Sequence, residues 1–190
     1  MSLTGAQVTA IQTFLLATPS IMPAVRAGQT DVVTGFLNAD STMKVWRTFT
    51  NINDINNNIN WANFTPSTIA TGGGQDAMNF MLACQGKQFN LQNLINSANR
   101  SGQLATGLGN IRAGLQDSLT GIQSGAAGAI LGGGWANVQL AIQRFASNYE
   151  SLFATGTGTQ ASPASLVYEG PISRIDAAFC FLNDDGTIKI

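Results

Sequence analysis

The chain has 190 residues, a net charge of −1, 10% charged residues and no histidine. Without an imidazole, the commonest general base, the Ser-His and Cys-His nucleophile pairs and most zinc sites are excluded. Its 9 Lys and Arg residues are scattered singly, which excludes the basic stripe that grips nucleic-acid phosphates, and so small a net charge opposes self-association only weakly.

The length suits one sizeable core with extensions. The surface must be polar without being charged, and Asn, Gln, Ser and Thr fill that role, notably in NINDINNNINWANFT. This composition fits a subunit of an assembly. Cys84 and Cys180 lie far apart with no second cysteine near either, which matches neither a metal site nor a disulfide framework. Both are expected as small core residues in a reducing compartment. Met1 leads into SLTGAQVTAIQ without a charged n-region and apolar core, and no uncharged apolar run approaches the length of a membrane span, so cytosolic synthesis and no membrane are expected.

Thr4 is placed to cap a first helix carrying Val8, Ile11, Phe14 and Leu15 on one face, interrupted at Pro19. Pro23 suits the first turn of a short helix ending at Gly28, and Thr30 with Asp31 is expected to cap another with Val32, Val33, Phe36 and Leu37 inward. Next, Val45, Trp46 and Phe49 stand beside Lys44 and Arg47, and Asn51 begins a brief helix through Ile52, Ile55 and Ile59 toward Trp61. Trp46 beside Arg47 suggests a base-stacking platform, but single-strand binders combine several aromatics with a basic groove. Core packing is the expectation.

After a glycine loop at 71–74, Met78, Met81 and Leu82 recur at helical spacing, and Asn90 is expected to cap a separate helix. Leu108, Ile111, Leu115, Leu119 and Ile122 then define a long apolar stripe; Gly107, Gly109 and Gly114 either delay its start to near Asn110 or admit another backbone. Residues 124–134 form a linker. Trp135, Val138, Ile142, Phe145, Tyr149 and Leu152 alternate at threes and fours, which predicts a helix of about five turns. Pairing the two stripes would make the core, and Phe145→Ala would then cost ~3–5 kcal/mol.

From residue 155 the alternating Thr and Gly predict an extended arm, because Gly loses most entropy on ordering and offers no anchor. Ala177 to Leu182, a turn over Asn183 to Gly186, and Thr187 to Ile190 read as a terminal β-hairpin. The division expected is a helical domain over 1–154 and an arm over 155–190: a mainly α fold, a helical bundle with an extended C-terminal arm and hairpin. Leu166, Val167, Tyr168, Ile172, Phe179 and Phe181 are the candidate interaction residues, and removing 171–190 is expected to leave the helical domain folded.

No residue set for chemistry emerges. GTGTQAS (156–162) follows a helix rather than a strand and lacks the P-loop Lys. Glu150 and Asp117 are expected on solvent faces, Asp184 and Asp185 in a turn, and NDDGT lacks the later glutamate of a calcium loop. No catalytic, cofactor-binding or metal-binding residue is therefore expected, and no cofactor.

Three segments, NADSTMKVWRTFTNINDINNNINW, IRAGLQDSLTG and LFATGTGTQASPASLVYEGPIS, resemble, in that order, a family of small proteins encoded among the virion-structure genes of tailed bacteriophages and prophages. In that family WRT-x-x-x-x-x-x-I, R-x-G-L and LFATGTGT…P…L…EG-x-[IL]-S recur. The resemblance covers roughly residues 38 to 175 and does not extend to the C-terminal hairpin. It implies a non-enzymatic virion structural protein, similar to the head–tail adaptors beneath the portal, which are α-helical bundles with arms. Implied partners are the portal protein, tail or nozzle proteins and further copies in a ring, about twelve for an adaptor, with DNA passing through unread. Implied location is the virion neck, after synthesis in the host cytoplasm. Another neck, tail or capsid-decorating component is the alternative within that class, and a small phage enzyme or nucleic-acid-binding module the alternative outside it.

Overall fold

A computed structural model describes residues 3–61, 75–120, 123–124, 128–129 and 134–190. The expectations for the loop at 71–74, for the Met78 and Met81 side chains and for Ile122 lie outside the described residues. Helix makes up 51% of the chain and the strands form only short pairs, so the fold is mainly α. The chain groups into two compact units, one of Met1–Val45 with Phe145–Ile190 and one of Trp46–Arg144. This replaces a division at residue 154: the C-terminal segment belongs with the N-terminal helices.

The first unit begins with α1 (Gly5–Leu16), whose capping box joins Thr4 and Gln7 through bonds of 2.7 and 3.3 Å. Helix α2 (Met22–Arg26) carries Pro23 in its first turn, and α3 (Thr30–Asn38) follows Gly28, whose φ of 63° favours glycine. Contrary to expectation, neither Thr30 nor Asp31 caps α3: Gln29 holds that position without a side-chain bond. Val33 and Leu37 are buried, Phe36 stacks on Phe14, and Val32 instead faces outward.

Residues Asp40–Trp46 form strand β1, with Val45 wholly buried. In the second unit β2 (Thr50–Asn51) precedes α4 (Ile52–Asn58), capped as expected by Asn51. Helix α5 (Gln75–Asn96) is continuous through Asn90, which is an interior residue rather than a cap, since nothing between Gln75 and Asn96 breaks the helix. Strand β3 (Gln103–Leu104) pairs with β2, and α6 (Gly109–Leu119) begins where the glycines allow. Gly107 does admit a backbone: a Cβ there would lie 3.0 Å from Thr48 Cα, and Gly107 N–H donates to Thr48 O at 2.9 Å. A further pair, β4 (Gln123–Ser124) with β5 (Gly128–Ala129), precedes α7 (Trp135–Ala141). The core of this unit gathers Ile55, Leu91, Leu104, Leu115, Leu119, Val138 and Ile142. The two sequence stripes thus meet, but only as far as Ile142.

The five-turn helix predicted from Trp135 is not formed. It stops at Ala141; Gln143–Ser147 is strand β6, paired with β1, and Ser147 then caps the short α8 (Asn148–Ser151). The strand's period of two turns Ala146 inward and Phe145 outward, 43% exposed, with Lys44 Nζ 3.4 Å from its ring centre. Tyr149, which helical spacing aligned with Val138, packs instead in the first unit's core.

The predicted arm is also corrected. Thr155 and Ser165 exchange backbone bonds of 2.9 and 2.8 Å, closing a compact loop against β1 through Lys44 N–H to Gly158 O (2.7 Å) and Ala164 N–H to Lys44 O (2.8 Å). Here glycine is the anchor: Gly158 has φ 68°, and a Cβ on it would fall 2.3 Å from Met43 Cγ. Beyond the loop, residues 177–182 do not form a strand. They belong to α9 (Arg174–Phe181), started by Ser173, whose Oγ accepts from Asp176 N–H at 3.1 Å. Ala177, Cys180 and Phe181 enter the core with Ile11, Leu15, Val25, Val33 and Leu37. Of the terminal hairpin there remains a turn closed by one bridge, Leu182 to Ile188. Removing 171–190 would take Ile172, Ala177, Cys180 and Phe181 out of the core, so the segment is not dispensable for folding.

The burial difference predicts a reversal of the expected substitution costs. Ile142→Ala, at a site with no exposure, should lose ~2–5 kcal/mol, and Phe145→Ala only ~1 kcal/mol. Denaturant unfolding of both variants measures the contrast; equal losses would contradict the strand.

Candidate interaction surface

The six candidate interaction residues do not form one surface. Ile172 and Phe181 are core residues, at 4% and 0% exposure. Leu166 is half-buried against Val45, Ala146 and Ala164, and Tyr168 packs edge-on against Phe153 at 5.7 Å. Only Val167 and Phe179 are exposed, the latter under Lys189 Nζ at 4.3 Å. The reason is the change from strand to helix: 177, 180 and 181 face inward at helical spacing, and 175 and 179 face outward. Ile175, at 81%, is the most exposed large apolar residue of the unit, and sequence reading missed it. The signal that could have found it is Ser173 followed three residues later by Asp176, a helix-start pattern directly before an apolar run.

In the second unit, Leu82 and Phe89 on α5 are 56% and 65% exposed, while Cys84, Leu91 and Leu94 face the interior. Beside α9, Arg174 Nε binds Asp31 Oδ1 at 2.8 Å, so the flank of the Ile175–Phe179 ridge carries balanced charge. On α5, Lys87 binds Asp117 on α6 at 3.4 Å, with the Asp117 side chain 71% exposed as expected.

Candidate chemistry is placed as follows. Asp184 and Asp185 lie in the predicted turn, where hydrogen bonds from the Thr187 hydroxyl and N–H hold Asp185 below the ordinary carboxylate range. Glu150 was expected on a solvent face and is instead 3% exposed: Oε2 accepts from Ser147 N–H and Oε1 from Gly170 N–H, both at 2.9 Å. Sequence reading had no means to foresee the Gly170 bond, which joins residues far apart in the chain. Both cysteines are buried and free, as expected. Burial pushes the Cys180 thiol up to about 11, against a lowering by Lys189. Among the described residues no group of three His, Cys, Asp or Glu side chains is placed to hold a metal ion, and no helix is long and apolar enough to cross a membrane. What the arrangement offers is apolar, charge-balanced helix faces, suited to contact with protein.

Compared with known proteins, the chain matches no family model, no curated protein and no solved structure.

Two outcomes follow from the buried groups. Glu150→Ala leaves the Ser147 and Gly170 N–H groups without their acceptor and should cost ~1–3 kcal/mol, read as a lowered denaturation midpoint. For Cys180 the folded-state value lies above the ordinary 9.0, so its contribution is complete below pH 9 and is lost as pH rises toward about 11. Burial also raises Tyr149, which adds loss in the same direction. Thermal melts from pH 8 to 11 should show this decline, and it should shrink in Cys180→Ala.

Proposed function

We propose that this protein is a non-enzymatic structural subunit of a tailed-phage virion, serving as the head–tail adaptor that joins portal to tail as a ring of copies. What carries the reading is the role of the residues in the three family-like segments: they build framework rather than a reaction site. Arg47 Nε donates to Gln143 O at 3.1 Å. Arg112 Nη1 donates to Thr106 O and Gly107 O at 2.9 and 2.6 Å, with its guanidinium 4.6 Å from the Trp46 ring centre. Thr106 Oγ1 donates its one hydroxyl proton to Arg47 O, so Thr50, 2.7 Å away, donates to Thr106. Gly114 gives room to Leu94, Gly158 to Met43, and the 170–172 backbone is held by Glu150 and Asn38.

A specific reaction would demand that such motif residues converge on a cleft with free functional groups. These instead satisfy backbone and permit close approach, as a rigid building block requires. The scattered charge suits a channel that passes DNA without gripping it.

Imaging of intact particles tests the reading. Density for this chain should lie at the neck between portal and tail, and particles lacking the protein should leave filled heads unjoined to tails. Density on the capsid exterior, or normal joined particles without the protein, would overturn it.

A further inference from the structure

Gly86 lies in the interior of α5, where glycine costs ~1 kcal/mol relative to alanine. A Cβ at Gly114 would meet Leu94 Cδ1 at 3.2 Å and one at Gly107 the Thr48 backbone, so both are required by the chain's own packing. At Gly86 a Cβ meets no described atom within 4 Å. The chain's own described packing therefore gives no reason for glycine there.

Its surroundings supply one. Leu82, Gln85, Gly86 and Phe89 are all exposed, and they occupy the i, i+3, i+4 and i+7 positions that frame a hole on a helix face. Leu82 and Phe89 are its walls, about 10 Å apart along the axis, and Gly86 is its floor. The matching feature is on α9, where Ile175 and Phe179 form a ridge with about 6 Å of axial spacing, 81% and 53% exposed. Charge permits the fit. The hole contains no ionisable residue, and the Arg174–Asp31 pair neutralises the flank of the ridge, so closing one on the other buries no unpaired charge.

We propose that the Ile175–Phe179 ridge of one copy seats in the Leu82–Gln85–Gly86–Phe89 hole of the next. The contact joins two different surfaces and is therefore heterologous: it repeats head to tail and closes a ring when the rotation between copies allows. It rests on the reading of the chain as a ring subunit and names the surfaces by which copies meet.

The test uses the full chain in sedimentation and cross-linking. A chain carrying both Gln85→Cys and Ile175→Cys, treated with a short bis-maleimide, should give a ladder of dimers, trimers and higher species, while either single variant gives none; the native Cys84 and Cys180 are buried. Gly86→Leu fills the hole without meeting its own chain, so it should melt at or above the wild-type temperature. Its self-association should nevertheless weaken by roughly tenfold or more, as for a central interface residue. Dimers from Ile175→Cys alone, a link within one chain, or undiminished association of Gly86→Leu would overturn the contact. Oligomers in sedimentation without a ladder from the double variant would overturn the contact and leave the ring reading standing. A wild-type chain that stays monomeric at every concentration would overturn both.

Discussion

Two polar side chains decide where the end of the chain goes. Glu150 accepts from Gly170 N–H, while Asn38 takes both groups of one residue: its Oδ1 accepts from Ile172 N–H at 2.9 Å and its Nδ2 donates to Ile172 O at 3.0 Å. Buried backbone groups left unpaired are costly, so the 170–172 segment has a strong reason to lie here and nowhere else. Once it does, Ser173 caps α9, and Ala177, Cys180 and Phe181 fall among Ile11, Leu15 and Val33. The first unit is built from the two ends of the chain, and this pinning joins them. It also converts what looks like a free arm into part of the subunit, leaving only the outer ridge of α9 for contact with others.

The parts legible in sequence are those governed by neighbours a few residues apart. Thr4 with Gln7, Pro23 in α2, Asn51 before α4 and the delayed start of α6 are all local capping or breaking effects, and the structure has each. The misread parts depend on distant partners. Helical spacing from Trp135 to Leu152 is present as a pattern, but its residues serve two cores, with Val138 and Ile142 in one and Tyr149 in the other. The chain changes conformation between them. Strand β1 went unread because Lys44 finds its partners at Gly158 and Ala164. Of the candidate interaction residues, Phe179 and Val167 were placed outward by reasoning that sent Ile172 and Phe181 outward too, since a strand reading hides the helical separation of the faces.

Glycine illustrates the same limit. The alternating Gly and Thr from 155 onward argue for disorder if glycine is judged only by the entropy it loses. At Gly158 a different term prevails: φ of 68° and Met43 against the backbone leave no room for a side chain. Entropy lost on ordering is offset by a close approach available to glycine alone. The loop is held by backbone bonds and contact with β1, means that carry no signature in hydrophobic periodicity.

That comparison gives Gly86 its weight. Gly107, Gly114 and Gly158 each face an atom of their own chain at 2.3 to 3.2 Å from where a Cβ would stand. Gly86 pays a helix-interior penalty of similar kind with open space before it, between two apolar side chains that are more than half exposed. A surface poor in charge lowers the desolvation cost of covering such a face, because amide and hydroxyl groups leave water more cheaply than ions do. Composition and geometry therefore point the same way. The shortage of charge that removes most chemistry from this chain is also what makes its helix faces inexpensive to bury against another protein.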